Sequence, residues 1–570
     1  MTTAPPLDTA PLDLALADLR RHAESWTTTS LAERIGLLER MLRRTGQGAS
    51  AMVVASATAK GYEPQSGWAA EDWVAAPWAL AQTVSAYLHV LRRLAAGREP
   101  LPARAVRSRE GRTVVDVFPA TGADRLLLSG FTAEVWTLPG TTREQALARA
   151  AGEYRGRPGE PAVALVLGAG NVPAITPLDV LHKLYTQGQV VLAKMNPVNA
   201  HLRPHFEAVF AEFVAHGWVR FVDGGAAEGA YLTCHDDVDT IHVTGSERTH
   251  DAIVWGTDAH SEERRRTDTP LNDKPFTSEL GGVSPCIVTP GPWSAADFRF
   301  QAEHVVTSKL NNSGHNCVAT QVLLVPRDWD GTERLLTEIR RVLQELPQRQ
   351  DYYPGAADRL AAVIGAHPDA ETYGQGTSRV LVPDVDGGAD VMLTDEVFAS
   401  ALGVVRLPGD DAPAFLRAAT DFANDRLPGT LGATLLVHPR TQRVHRAAVD
   451  EAVAALRYGT LGVNCWSAFG FLLGYTPWGA FPGHTRRSIG SGVGFVHNAF
   501  MLEDVEKTVL RAPFAPAPRG LFAGSPSLSP RPPYYVTNRT GRTTMARLTA
   551  YTTDPRPARL PGIFTSALRG

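Results

Sequence analysis

Cys317 ends the run Asn311-Asn312-Ser313-Gly314-His315-Asn316, a polar turn with a glycine in it. A free cysteine is more often a small buried hydrophobe than a reactive group, but a packing thiol would have apolar neighbours. As a thiolate, Cys317 would attack a carbonyl carbon and hold the resulting acyl group. The second candidate is Glu279, in Thr277-Ser278-Glu279-Leu280-Gly281-Gly282-Val283-Ser284-Pro285, a carboxylate able to take a proton from water. Its bland alternative is a surface acid ahead of a Gly-Gly turn. His315 could serve Cys317 as a base, yet side chains so close in a loop can point apart, and we expect it to shape the pocket. Cys234, Cys286 and Cys465 complete the cysteines; they form neither a disulfide framework nor a metal-ligand spacing, and no His-Glu-x-x-His pattern occurs. His235, His242 and His250 are read as structural or exposed, and no metal is expected.

The elements that must position these groups follow from local pattern. Ser294 and Asp297 make a capping-box start, Phe298, Ala302, Val305, Val306 and Leu310 recur at helical spacing, and Gly314 supplies a stop. Thr320 to Val325 reads as a buried strand ended by Pro326, so Cys317 lies in a helix-to-strand connection, a common place for reacting groups. Earlier, Ala162 to Leu167 reads as a strand buried on both faces, Gly168-Ala169-Gly170-Asn171 as its turn, and Thr176-Pro177 as a helix start with Asp179 in the first turn. Gly188 ends that helix before a strand from Val190 to Lys194. Gly168-x-Gly170-x-x-Pro173 lacks the third glycine of the usual dinucleotide fingerprint. A helix from His201 to His216 and strands at Val219 to Val222 and Thr240 to Val243 continue the unit. Thr244-Gly245-Ser246 then forms a strand-to-helix turn whose N–H groups suit a pyrophosphate, although a plain capping turn uses the same residues.

Ahead of this unit, Leu12 to His22, Leu31 to Thr45 and Trp73 to Ala96 read as amphipathic helices, with Trp68, Trp73 and Trp78 as packing residues. Thr113 to Phe118 and Leu126 to Leu138 look strand-like on either side of a Thr121-Gly122 turn, which predicts a β-hairpin. His260 to Arg266 reads as a solvated surface loop. From Arg511 onward the chain is rich in proline and reads as an extended wrapping arm or partly disordered tail.

Together, the segments around Glu279 and Cys317 resemble the aldehyde dehydrogenase superfamily, whose motifs have the forms Glu-Leu-Gly-Gly-x-Ser-Pro and Asn-x-Gly-Gln-x-Cys; His315 stands here in place of the Gln. The resemblance implies an α/β fold of two Rossmann-like parallel-sheet domains plus a β oligomerisation arm. It divides the chain into 1–111, the helical part of the cofactor domain; 112–140, the arm; 141–285, the dinucleotide-binding domain; 286–495, the catalytic domain; 496–511, an assembly strand; and 512–570, a C-terminal extension. Implied roles are Cys317 as nucleophile, Glu279 as base for the hydrolytic water, and Asn171 with the Cys317 N–H as oxyanion donors. Lys194, Thr244, Gly245, Ser246, Glu396 and Phe398 would hold NAD or NADP. Pro197 replaces the glutamate that often binds the adenosine ribose, which removes one reason to exclude a 2′-phosphate. Ala399 and Ser400 replace a Gly-Pro pair, and the late loop around Ser491 to Gly494 lacks its usual arginine-glutamate pair. A small-molecule aldehyde would be oxidised to a carboxylate by a homodimer or homotetramer. Alternatives are a CoA-acylating relative, disfavoured by Glu279, and a non-catalytic scaffold.

Composition agrees with an ordinary globular chain: 570 residues, enough for two or three domains, 44% hydrophobic and 20% charged. A formal net charge of -3 points to no nucleic acid or acidic membrane partner. Without an apolar signal core at Met1 to Leu19 or a long apolar run, the expected compartment is the cytoplasm. Trp466, Phe469, Phe471, Tyr475 and Trp478 hint at an apolar or aromatic aldehyde.

Overall fold

A computed structural model describes residues 7–109, 111–156, 159–374, 378–522 and 527–570. Parts of the expected N-terminal segment, the variable stretch before Leu393 and the C-terminal extension therefore lie outside the described residues. The chain opens with helices Ala10–Thr27 and Leu31–Ala59. In the first, Leu12, Leu16, Leu19, Ala23 and Trp26 recur every third or fourth position and form its buried stripe. Ser30 caps the second, its hydroxyl accepting the Glu33 N–H at 3.2 Å. The expected helix from Trp73 is interrupted. Ala69–Trp73 passes through a wider π turn, Val74–Trp78, around Pro77 before Ala79–Ala95, because a proline cannot donate to the regular ladder.

Two sheets carry the rest. The smaller runs Gly492–Val493, Phe276–Leu280, Thr240–Gly245, Val163–Leu167, Val190–Lys194, Val219–Val222, parallel except for the first, edge strand. The chain starts it in the middle at Val163–Leu167 and fills one side, then the other. That leaves a topological switch between Val163–Leu167 and Thr240–Gly245, where α/β sheets bind ligands at the carboxyl ends of their strands. Asn171 and Thr244-Gly245-Ser246 both follow strands at this edge. The larger, eleven-stranded sheet has a parallel centre in the order Val505–Arg511, Thr460–Val463, Gly432–Leu436, Ser284–Val288, Thr320–Pro326, Ala401–Leu407, Arg379–Val382.

Several expectations need correction. The arm starts before residue 112, since Val106–Arg109 already pairs with Arg112–Phe118. The strand expected from Leu126 is Thr132–Thr137; ahead of it, a capping box between Thr121 and Asp124 winds Gly122–Leu127 into a helix. His201 to His216 is broken into a 3-10 turn, Pro197–Leu202, and two short helices, Arg203–Val209 and Ala211–Ala215. His260 to Arg266 is not a loop: Ser261–Thr267 is an exposed-faced helix. Strand Val505–Arg511 pairs with Thr460–Val463 on one side and with Thr132–Thr137 on the other. Both edges of the expected assembly strand are thus paired within one chain.

The C-terminal extension is folded where it is described. Phe514 is fully buried against Trp293, and Tyr535 stacks on Phe300 at 5.4 Å. The Val536 N–H donates to the Thr307 hydroxyl at 3.1 Å. Helices Gly541–Thr553 and Leu560–Ala567 follow, and the first lies on the N-terminal helices through Met545, Leu548 and Thr549. No helix among the described residues is long and apolar enough to cross a membrane.

Candidate active site

Helix Ala295–Leu310 delivers the chain to Asn311, and the next three residues all take the left-handed conformation: Asn312 at φ 55°, Ser313 at φ 55° and Gly314 at φ 75°. For Asn312 and Ser313 this costs on the order of 1–2 kcal/mol each, so the surroundings must hold them. They do so with directional bonds. The Asn312 N–H donates to Glu71 Oε2 at 2.9 Å, its side-chain amide donates to the carbonyls of Asn171 and His315, both at 2.9 Å, and its Oδ1 accepts the Tyr352 hydroxyl at 2.8 Å. Ser400 donates to the Ser313 carbonyl at 2.8 Å. Gly314 is required by contact as well as by φ, because a Cβ there would sit 2.5 Å from the Ala399 carbonyl oxygen.

This turn aims Cys317 into an apolar pocket whose walls include Ile175, Val318, Trp466, Phe471 and Leu472. The Cys317 thiol lies 3.6 Å from Glu279 Oε1 and 3.8 Å from Asn316 Oδ1. Burial, then the charges of Glu279 and Glu396, push the thiol well above its ordinary pKa. Cys317 therefore rests protonated and needs a neighbour to take its proton. Glu279 is 2% exposed, and burial followed by the charge of Asp179 raises its carboxyl to about 8. Its Oε1 accepts the Trp478 indole N–H at 2.6 Å, while Oε2 has no protein partner. A carboxyl with one oxygen fixed and one free, beside a thiol, is equipped to shuttle a proton near neutral pH.

Glu279 owes its place to the late glycine loop. Gly492, at φ 114°, pairs across from Glu279, and a Cβ on it would lie 2.1 Å from the Ser278 carbonyl oxygen. Ser491 closes the same junction, its carbonyl accepting the Leu280 N–H at 2.8 Å and its hydroxyl donating to the Gly281 carbonyl at 2.9 Å.

Asn171 is brought to this centre but lies behind the turn rather than in the pocket wall: its amide donates to the His315 carbonyl at 3.2 Å. The wall amides are Asn311 and Asn316. His315 is fully buried; its Nδ1 donates to the Phe398 carbonyl at 2.9 Å, and burial holds its ring near pKa 3, so it stays neutral and structural. It shapes the turn rather than titrating beside Cys317. His242 and His250 are buried, in keeping with a structural role.

Of the expected dinucleotide residues, Lys194, Thr244, Gly245 and Ser246 lie at the carboxyl edge of the smaller sheet, and Glu396 and Phe398 lie just ahead of strand Ala401–Leu407 of the larger one. Ser246 caps helix Glu247–Val254, its hydroxyl accepting the Thr249 N–H at 3.2 Å, and Gly245 beside it is exposed. Thr244 turns inward instead, donating to Asp179 at 3.2 Å. The Lys194 ammonium donates to the carbonyls of Gly224 at 2.7 Å and Gly225 at 3.0 Å. Glu396 has a buried oxygen with no partner, and a Cβ on Gly281 would fill the space against it. Gln321 fixes this segment, its amide donating to the carbonyls of Met392 and Asp395 and its oxygen accepting the Val397 N–H at 2.9 Å. Phe398, at φ 45°, packs on His315 and Tyr353. The orphaned acceptor at Glu396 and the exposed helix start at Gly245-Ser246 fit a dinucleotide, while the Lys194 ammonium is held by the Gly224 and Gly225 carbonyls.

Residues that sequence reasoning missed cluster here. Trp478 was read only as an apolar wall, yet it supplies the hydrogen bond to Glu279. Glu71, an acid in a helix's first turn, is 5% exposed, pairs with the buried Arg349 and holds Asn312. Lys309 is buried beside Glu396, and burial lowers its ammonium to about 7. Tyr534, from the C-terminal extension, also reaches the Cys317 pocket. No cluster of metal-ligating side chains occurs among the described residues.

A two-sheet α/β protein whose cysteine turn leads into one sheet and faces a glutamate on a strand of the other defines the class. Residues 142–358 match the model of the aldehyde dehydrogenase family. Over that stretch the chain is similar to the aldehyde dehydrogenases. It is 24% identical over 278 residues to the dimeric NADP-preferring aldehyde dehydrogenase of Rattus norvegicus, a match covering 46% of this chain and 56% of the relative. It is 24% identical over 275 residues to D-glyceraldehyde dehydrogenase (NADP(+)) of Thermoplasma acidophilum, covering 44% of this chain and 50% of that protein. The chain thus spans about half the length of the curated relatives it matches. The fold extends further: the NADP-dependent glyceraldehyde-3-phosphate dehydrogenase of Bacillus halodurans, complexed with NADP, superposes with a TM-score of 0.59 at 17% identity, covering 89% of this chain and 92% of its own.

Proposed function

We propose that this chain oxidises an aldehyde to a carboxylate with NAD or NADP through a covalent intermediate on Cys317. The observation that carries the reading is the Cys317 thiol at 3.6 Å from Oε1 of the buried Glu279 carboxyl, which Trp478 holds in place, in one pocket. Glu279 takes the thiol proton and the thiolate adds to the aldehyde carbon, giving a thiohemiacetal. Its oxygen is polarised by the Cys317 N–H; Asn171, donating to the His315 carbonyl behind the turn, would have to swing toward the pocket to add a second donor. When bound, the nicotinamide supplies the acceptor for the hydride that this intermediate loses. Cys317 is left as a thioester, and Glu279, having passed its proton on, deprotonates the water that hydrolyses it. Trp478 keeps the carboxyl aimed while this happens.

The cofactor would lie along Ser246, Gly245 and Lys194, with Glu396 on the nicotinamide-side ribose. Pro197 presents no carboxylate against a 2′-phosphate, which supports NADP as well as NAD. Hydrolysis gives Glu279 a second task that transfer of the acyl group to CoA would not, so water is the favoured acceptor. The test is reduced-nicotinamide formation over an aldehyde panel with each cofactor, with and without CoA, in wild type and Cys317→Ala. Turnover that depends on Cys317 and not on CoA is the expected result; turnover only with CoA would overturn the hydrolytic reading.

A further inference from the structure

The Cys317 pocket does not end at its apolar walls. Val74, Phe469, Leu472 and Tyr534 line it, and the same four residues also line a second cavity further from the thiol. The outer cavity is roofed by the C-terminal extension through Met545 and Leu548 of helix Gly541–Thr553 and Ile563 and Phe564 of helix Leu560–Ala567. Its floor is Trp78 of the π turn and Phe131 of the arm. No charged side chain lines it, and its hydroxyls are confined to Ser529, Tyr534 and Thr544.

The roof is anchored rather than laid loosely. Tyr535 stacks on Phe300, the Thr540 hydroxyl donates to the Ser566 carbonyl at 2.7 Å, and Gly541 approaches so closely that a Cβ would lie 2.2 Å from the Pro533 carbonyl oxygen. A folded, uncharged roof over a cavity that shares a wall with the reacting thiol selects by length and apolarity.

We propose that the C-terminal extension completes an apolar tunnel running outward from Cys317, and that the substrate is an aldehyde with a long alkyl tail lying under helices Gly541–Thr553 and Leu560–Ala567. The inference rests on the reading of Cys317 as the group that attacks an aldehyde. A phosphorylated, carboxylated or sugar tail finds no partner in the outer cavity and loses its hydration there, whereas each methylene is transferred from water to an apolar wall. Tyr534 and Phe469 stand where the inner pocket passes into the outer one and make short aldehydes and long ones equivalent only as far as that point.

The experiment is a chain-length series of straight saturated aldehydes, propanal to dodecanal, with the holoenzyme. In wild type, kcat/KM rises by about fourfold per added methylene until the tunnel is filled. Leu548→Trp fills the outer cavity and lowers kcat/KM for the longest aldehydes on the order of tenfold or more, while propanal stays within about twofold. Phe564→Ser, at a half-exposed position that cannot over-pack, lowers long-chain turnover alone. A flat or falling series in wild type, or equal profiles in all three proteins, overturns the tunnel. Protection of Cys317 from alkylation by n-alkyl amides of increasing length separates this inference from the catalytic one. Protection that grows with length and is lost in Leu548→Trp upholds the tunnel even where no aldehyde is oxidised, and length-independent protection refutes it.

Discussion

The cysteine turn and the outer cavity are built in opposite ways although they share one pocket. The turn is held by hydrogen bonds between buried polar groups, and each bond has a direction: Asn312 to Glu71, Asn171 and His315, Ser400 to Ser313. The outer cavity is lined almost wholly by apolar side chains, with walls drawn from the π turn, the arm and the C-terminal helices. Directional bonds fix atoms to within a fraction of an ångström, which chemistry demands. Apolar walls fix only a volume, which is enough to choose a tail. Substitutions in the turn should therefore change kcat whatever the chain length, and substitutions in the cavity should change the response to chain length and leave kcat for small aldehydes alone.

The largest effect belongs to the nucleophile: Cys317→Ala should abolish cofactor reduction, a loss of about 10⁴-fold or more in kcat, read from steady-state rates. Glu279→Gln keeps an oxygen for the Trp478 bond and removes the base from both steps; it should lower kcat by about 10²–10⁴-fold and slow the first burst of reduced cofactor, visible by stopped flow. A burst at the wild-type rate would confine Glu279 to hydrolysis. Trp478→Phe removes the N–H that opposes the upward shift of Glu279, so the carboxyl should titrate above its present value of about 8. The rising limb of the pH–rate profile then moves to higher pH, and an unmoved limb would show that another group controls it. Glu71→Gln keeps an acceptor for the Asn312 N–H but strips the buried Arg349 of its counter-charge, which should cost about 3–5 kcal/mol in denaturant unfolding.

A smaller effect follows from linkage. Glu279 and Glu396 are both raised to about 8 in the folded chain, so each contributes stability that is full below the ordinary carboxylate range and lost as pH rises to about 8. Thermal midpoints should fall across that window, and less steeply in Glu279→Gln.

How legible this was differs along the same line. Cys317, Glu279 and the turn could be read from sequence because their signals are local: a capping box, a helical stripe and a Gly-Gly pair act over a few residues. Trp478 and Glu71 could not, since their bonds to Glu279 and Asn312 join positions 199 and 241 apart. Nothing near either residue marks it as a hydrogen-bonding partner. Gly122–Leu127 was lost to a different cause: the apolar run from Leu126 suggested a strand, and the Thr121–Asp124 capping box decided for a helix. The extension was read as wrapping arm or tail because proline dominates its first half, which hid the amphipathic spacing of Met545, Leu548 and Thr549 further on.

The most direct test of the covalent route is intact and peptide mass spectrometry of Glu279→Gln after mixing with aldehyde and oxidised cofactor. The account predicts an adduct on the peptide containing Cys317 with the mass of the aldehyde less two hydrogens, stable without CoA and absent from Cys317→Ala. Reduced cofactor formed with no such adduct, or an adduct on another residue, would contradict it.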